Sequence, residues 1–471
     1  MLNATDEILD FPGAYKLKDI RLISSDGIDY DITELVTKLN LFSSIYSPFV
    51  TGNIQFLDTK NIVDRLPLMG EETITFQFYT PSTEKVNHID TTDFPMRVTR
   101  FYVQKQSEKA QSYIVEFASL EFKRNNRVRS VAPLRGAYSD MVNTILRNDL
   151  KTRKEIILEP TLFNQKWVSP NITPVDLIQR LADKSVSSKF ESAGYLFYED
   201  FHNTFHFRSH ASLMYDAPGK PKETVYIFHD KPETETDILT QMTRVKSFEL
   251  KRAFDHTKNT RSGMYASTLI THDIQDKRYY EDVFRYDTYF AETAHIEPQK
   301  NQNNLLAYRG IVDDDGKTLF DYSSSRVYLA SKAGDHHNEY DASGNATYPY
   351  KDAPREFSLQ KRISEIQSMQ NVVLSLTIHG NTSLRPGMVI RFNYPHNASE
   401  ETDEFRNLSE LYSGRYVITK LRHIATAGED TRHETMIECT KDSLRNPFPV
   451  NPTSHYIKPK MRSTGELNND A

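Results

Sequence analysis

Between Asn371 and Asn446 polar and apolar residues alternate with a period of two, and that period constrains the fold more than any other feature of the chain. Leu374, Leu376 and Ile378 are separated by Ser375 and Thr377. Side chains two apart share one face of a strand, so the run predicts half-buried β-structure. Pro386-Gly387 predicts a turn, after which Met388, Ile390 and Phe392 resume the alternation. Ser413-Gly414 predicts a second turn before Arg415–His423, and Glu434–Asp442 completes the set. The whole stretch predicts a compact antiparallel β unit, a closed or nearly closed barrel.

An earlier part of the chain repeats this pattern. Leu68-Met-Gly-Glu-Glu-Thr-Ile-Thr-Phe-Gln-Phe matches Arg385-Pro-Gly-Met-Val-Ile-Arg-Phe-Asn-Tyr with one residue of slack. Ser112-Tyr-Ile-Val-Glu-Phe-Ala-Ser matches Thr435-Met-Ile-Glu-Cys-Thr, so Val115 and Phe117 stand where Ile437 and Cys439 stand. Such self-similarity leaves two readings open, a duplicated unit or two β-rich stretches alike by chance.

In chain order, residues 1–11 read as an arm and residues 12–130 as the first β-barrel. Within the latter, a short helix is expected from Lys60 to Leu66, and a hairpin pairs Arg97–Gln104 with Ser112–Phe122. Residues 131–235 change character and predict a small α+β domain. Met141, Val142, Ile145, Leu146 and Leu150 form an apolar stripe of helical spacing, and Thr173-Pro-Val-Asp is a helix start. Gly194 to Ser209 predicts a hairpin turning near His202-Asn203. Residues 236–275 and 356–446 are assigned to the second barrel, 276–355 to an inserted peripheral domain, and 447–471 to a tail. The fold class is mainly β with α+β parts, built on two homologous antiparallel barrels.

Composition bounds the function. At 471 residues the chain has room for several domains. A net charge of −6, with both signs interspersed, announces no basic face and argues against sequence-specific nucleic-acid binding. A single cysteine, Cys439, excludes an internal disulfide framework. The N-terminus lacks the basic and apolar regions of a signal peptide, and no run is long and apolar enough to span a membrane.

The motifs that carry chemistry are missing: no phosphate loop, no His-Glu-x-x-His and no cysteine pair. His202 and His206 lie too far apart along one strand to share a metal and could meet only across a turn. His336-His337 reads as a solvated loop, and Asp313-Asp-Asp-Gly lacks the spaced ligands and terminal Glu of a calcium loop. Trp167 fits a core position or an interface anchor, and the Lys458-Pro-Lys-Met-Arg tail an exposed end. No catalytic, cofactor-binding or metal residue is assigned, and no cofactor is expected. Two other classes remain: a cell-wall hydrolase using two of the 64 acidic residues, and a glycan- or receptor-binding module using Tyr279-Tyr280 and Tyr348-Pro-Tyr350.

Several runs, taken in order, resemble the central baseplate hub of T-even-type contractile phages. They are Ser47–Asp58 with Leu66–Phe76, then Trp167 with Ile172–Ala182 and Tyr195–Asp200, then Gly263–Asp273, and finally Val372–Asp442. Similar barrels occur in phage late-control hub proteins and in the type VI secretion spike protein VgrG. The resemblance implies two homologous tube-forming barrels in one subunit, and no enzymatic activity. It implies a homotrimer whose six barrels form a pseudo-six-fold ring between the hexameric tail tube and the trimeric central spike. Baseplate wedge proteins lie around it and DNA passes through its lumen. The expected place is the virion's tail baseplate, assembled in the host cytoplasm.

Overall fold

The computed structural model describes residues 9–59, 70–106, 111–162, 164–215, 223–228, 237–253, 255–273, 277–297, 316–332, 339–340, 346–348, 355–395, 408–409, 411–428 and 431–444. The expected helix at 60–66, the pair His336-His337, Asp313 to Asp315 and the C-terminal tail lie outside the described residues, as does most of the N-terminal arm.

The first β unit comprises β1 (Lys16–Ile23), β2 (Asp29–Asp31), β3 (Val36–Ser44), β4 (Thr51–Asp58), β5 (Thr73–Tyr79), β6 (Ile89–Asp90), β7 (Met96–Gln106) and β8 (Gln111–Ala118). Alternation does the folding here: in β4, Gly52, Ile54, Phe56 and Asp58 are buried while the residues between them are not. Ile54, Phe56, Phe76, Phe78, Val115 and Phe117 meet in one core. The predicted second strand of the hairpin stops early, because Ser119 takes an N-cap conformation and α1 (Leu120–Arg127) begins.

The α+β part holds β9 (Pro133–Ala137), α2 (Tyr138–Asn148), β10 (Glu155–Leu158), β11 (Asn164–Val168), α3 (Pro174–Ala182), β12 (Tyr195–Asp200), β13 (Thr204–Ser209) and α4 (His210–Met214). The predicted stripe on α2 is buried, and Thr173 Oγ1 accepts the Asp176 amide at 3.2 Å to start α3. Both helices share a core with the aromatics of the three-stranded sheet β10-β13-β12. The turn between β12 and β13 is made by residues 201–203, with Asn203 at φ 61°.

The rest of the chain carries β14 (Val225–Ile227), α5 (Ile238–Met242), β15 (Val245–Ala253), α6 (His256–Ser262), β16 (Ala266–Asp273), β17 (Arg278–Arg285), α7 (Tyr286–Glu292), β18 (Val327–Lys332), β19 (Glu339–Tyr340), β20 (Ala346–Tyr348), α8 (Arg355–Ser368), β21 (Val372–His379), β22 (Val389–Asn393), β23 (Gly414–Thr426) and β24 (Arg432–Lys441). Two segments fall elsewhere than expected. Residues 266–273 do not join the second β unit but pair with β17 and β18 in a separate three-stranded sheet. The cause is local: Asp255 caps α6 through the Lys258 amide at 3.0 Å, and Gly263 at φ 79° ends it, so the chain turns away after β15. Conversely, β14 lies beyond the α+β part and runs parallel to β22.

Among the described residues the main sheet has 14 strands and runs through both β units in the order β15-β21-β24-β23-β3-β4-β8-β7-β5-β1-β2. On one side of the second unit β22 adds to β23 and β14 adds to β22, and an isolated parallel bridge joins Ile227 to Arg244 at the foot of β15. No described helix is long and apolar enough to cross a membrane.

Candidate assembly interface

The expected repeat is present strand by strand. In the first unit β3, β4, β8, β7 and β5 pair antiparallel in that order, and in the second β15, β21, β24, β23 and β22 do the same. The sixth strands differ: β1 is antiparallel to β5, whereas β14 is parallel to β22. Irregularities repeat as well. A bulge falls between Val98 and Arg100 opposite Phe117–Glu116, and another between Ile418 and Lys420 opposite Cys439–Glu438. In each, the extra residue is a threonine whose Oγ1 donates to the glutamate carbonyl, Thr99 at 3.1 Å and Thr419 at 2.9 Å. Gly70 and Gly387, at φ 87° and 84°, both take the left-handed conformation shortly before β5 and β22. A bulge position is an inherited feature of a sheet, so two coincident bulges with one chemistry argue for duplication rather than chance.

The two cores diverge in a compensating way. Gly52 faces Phe117, and a Cβ on Gly52 would lie 2.4 Å from the phenyl ring. At the matching positions Leu374 faces Cys439. A large and a small residue have exchanged strands, which keeps the layer's volume. Cys439 is fully buried, and burial pushes its thiol well above the usual range. It serves as a small core residue.

The units meet edge to edge. The first half of β23 pairs with β22, while Lys420–Thr426 pairs with Ser44–Lys38 of β3. At this junction the Arg422 guanidinium donates to Asn40 Oδ1 at 2.9 Å and lies over the Phe42 ring, 5.3 Å from its centroid. On the face away from the cores, Lys420 and Lys251 reach Glu438 at 2.7 and 3.3 Å, and Lys246 reaches Glu434 at 2.9 Å. Phe42, Ser44, Lys420, Arg422 and Glu438 line a shallow hollow of about 270 Å³ over the junction.

Two buried polar groups tie the remaining parts to this frame, and a third lies where the two units meet. Lys154 lies between Glu121 of α1, at 3.1 Å, and Glu199 of β12, and Glu199 also accepts the Val50 amide at 3.1 Å. Burial alone would strip the proton from Lys154, but the two carboxylates hold its ammonium charged, while burial pushes the Glu199 carboxyl up. Glu365 of α8 accepts from Ser192 Oγ at 2.7 Å, from the Ala193 and Gly194 amides at 3.2 and 2.7 Å, and from the Tyr289 hydroxyl. It thus fastens α8 and, through Tyr289, α7 to the α+β part. The third group is histidine: His423 Nδ1 and His433 Nε2 are 3.0 Å apart, with Phe78 of the first unit 4.7 Å from the His433 ring. Gly380 is held to glycine there, since a Cβ would fall 1.9 Å from His433.

The residues weighed as sites are distributed without converging. His206 Nε2 bonds Asp200 Oδ2 at 2.9 Å; burial would raise that carboxyl, but the His206 bond and charge bring it below its usual range. His202 stands in the turn, 3.4 Å from the Asn87 carbonyl, and the two histidines share no ligand geometry. Among the described residues, no three His, Cys, Asp or Glu side chains are grouped to hold a metal. Trp167 is half-buried against the α+β core, with Lys184 over its ring at 4.3 Å. Tyr279 is exposed on β17 of the peripheral sheet, opposite His272 of β16. The buried charges Lys154, Glu199 and Glu365 were not singled out from the sequence. Their only trace there is an acid placed among apolar residues, as in Tyr195-Leu-Phe-Tyr-Glu-Asp.

Two repeats thus lie in one continuous sheet, joined by the pairing of β23 with β3 and by the contacts of Arg422 with Asn40 and Phe42. No protein-family model matches the chain. The chain is similar to the probable baseplate hub protein gp334 of Vibrio phage KVP40, with 22% identity over 431 residues, 89% of this chain and 93% of that one. The resemblance to phage baseplate hubs read from the residues therefore stands. Among solved structures, a tail protein from Neisseria meningitidis MC58 is matched over 91% of this chain and 97% of its own, at 9% identity and TM-score 0.49. The 43 kDa tail protein of prophage MuSo2 from Shewanella oneidensis is matched over 91% and 99%, at 12% identity and TM-score 0.47.

Proposed function

We propose that the chain is a structural subunit of a phage tail baseplate hub, located in the virion, assembled in the host cytoplasm and without enzymatic activity. Three copies form a ring of six near-equivalent β units, which joins a six-fold tail tube to a three-fold central spike. The observation that carries this reading is the duplication with its edge-to-edge junction. A subunit holding two like units side by side presents three-fold symmetry as whole chains and six-fold symmetry as units. We assign the first barrel to residues 12–130, and the second to the strands from Val245 to Ala253 and from Val372 to Lys441, with β14. The α+β part and the peripheral sheet lie outside the ring, where wedge proteins reach them. Co-purification with spike- and tube-type proteins encoded beside it tests the reading. Recovery of both is expected, and recovery of neither sinks it.

The lumen of such a ring must release a genome. The lysines over the junction are held by Glu434 and Glu438, and the chain as a whole carries −6. Protein cations gain affinity for phosphates by releasing the counterions condensed on the DNA, and ion-paired lysines offer few such contacts. Double-stranded DNA at ~150 mM salt is therefore expected to bind no more tightly than ~10⁻⁴ M, the weak end of non-specific binding. A mobility shift at micromolar protein would overturn this.

A further inference from the structure

Among the described residues, strand pairing inside the chain leaves an edge of β7 and an edge of β15 open, and the repeat says what covers them. The strand β23 divides its outer edge between β22 and β3. Its counterpart β7 gives only Met96 and Arg97 to β5, so among the described residues the edge from Thr99 onward has no strand partner. Likewise β3 is flanked by β4 and β23, whereas its counterpart β15 is flanked by β21 alone for most of its length. One junction of the pseudo-repeat is therefore formed within the chain, by β23 and β3. The equivalent junction, β7 with β15, is the one it lacks.

We infer that β7 of one copy pairs antiparallel with β15 of a second copy, in the register that joins β23 to β3. This rests on the hub reading and names the surface by which its copies meet. The register follows from the repeat. Arg422 faces Phe42, His423 faces Leu41 and Ile424 faces Asn40 within the chain. The shared bulges map Tyr102 and Val103 onto Arg422 and His423, and Glu249 and Leu250 onto Asn40 and Leu41. Val103 thus faces Leu250, and the next paired residue of β7, Lys105, falls opposite Glu249. An apolar pair at facing positions adds burial.

The edges themselves suit this use. Tyr102 and Val103 are 39% and 49% exposed. Proteins ordinarily block long edges of this kind with proline, a covering segment or inward-pointing charge. No proline interrupts β7 or β15. The contact is heterologous, β7 to β15 rather than like to like, so it either closes a ring or propagates. A small closed ring leaves no edge open.

Engineered disulfides test the register. The native chain offers one cysteine, which is buried, so background cross-linking is negligible. The double variant Val103→Cys/Leu250→Cys, purified alone and after co-expression with the spike-type protein, is oxidised and run without reductant. A covalent ladder ending at three chains is expected, because a closed ring of three has no fourth position. The pair Val103→Cys/Val168→Cys, whose second residue is on β11, is expected to give none. A second variant, Tyr102→Lys, adds charge at an exposed edge position and is expected to shift the light-scattering mass from trimer to monomer with unchanged circular dichroism. A trimer by light scattering in which the first pair does not cross-link leaves the hub reading intact and overturns this pairing. A monomer with and without the spike-type protein overturns both.

Discussion

Moving from pH 7.5 to pH 5 is expected to remove several kcal/mol of folding stability, well before the carboxylates as a class titrate. His210, His423 and His433 are buried at 3%, 1% and 0% exposure. Desolvation lowers all of them, His210 and His423 to about 3 and His433 well below its usual value, with Arg362 facing His210 and Lys246 facing His433. In the β12–β13 turn His202 is brought to about 4 by burial and by Arg385, against the pull of Asp200. Folded values below the unfolded ~6.5 mean that the unfolded chain binds more protons. Stability is thus complete above that value and falls as the pH drops through it, by about 1.4 kcal/mol per pH unit for each such histidine. At pH 5 the three buried ones together cost on the order of 6 kcal/mol. Glu199 and Glu365, raised by burial, take up protons in the folded state first and offset part of this at lower pH. The check is a urea midpoint measured at both pH values. An unchanged midpoint would show the cluster to be hydrated, and His423→Gln is expected to flatten the dependence.

Replacing Lys154 by methionine is expected to destabilise the chain by about 3–5 kcal/mol, the range for removing one partner of a buried ion pair. The substitution keeps the length of the side chain, so packing changes little and the cost is electrostatic. It leaves Glu121 and Glu199 facing each other at side-chain exposures of 3% and 0%. Thr152 Oγ1 at 2.7 Å from Glu121 and the Val50 amide on Glu199 do not supply the missing charge. Because the cluster spans α1, β12 and the entry to β4, its failure should loosen the α+β part from the first β unit. Denaturant unfolding measures the first effect and limited proteolysis the second. The triple replacement Lys154→Met/Glu121→Gln/Glu199→Gln should recover part of the loss; if the single variant melts as the wild type does, the cluster is not desolvated.

Much of the frame was legible because it depends on local periods. The alternation of Leu374, Leu376 and Ile378 and the stripe of Met141, Val142, Ile145 and Leu146 each specify an element and its buried face. The repeat was legible through Gly70 and Gly387 and through the matching residues of β8 and β24. The pairing of β23 with β3 was not, since strand order across nearly 400 residues leaves no local signature. Residues 266–273 were misplaced for a related reason. They look like the return strand of a hairpin, and only the stop at Gly263 and the partners β17 and β18 reveal otherwise. Buried charges such as Glu365 are ordinary surface residues to any reading of composition; their partners, Tyr289 and Ser192, become visible only once the chain is folded.

The peripheral sheet also sets an order of events during synthesis. In the first unit β3 and β4 are adjacent, whereas roughly 120 residues intervene between their counterparts β15 and β21. Closing the longer loop costs about 2–3 kcal/mol more in chain entropy, from the logarithmic dependence on length. The ribosome releases all of the first unit before β21 exists. A nascent chain will therefore carry a finished N-terminal unit whose β3 edge stands ready when β23 emerges. That edge acts as an internal template, selecting the antiparallel register of the C-terminal unit and shielding a long apolar segment from other chains while it waits. Chains stalled after residue 130 should resist protease, and chains stalled just before β21 should yield the same resistant fragment and no larger second core.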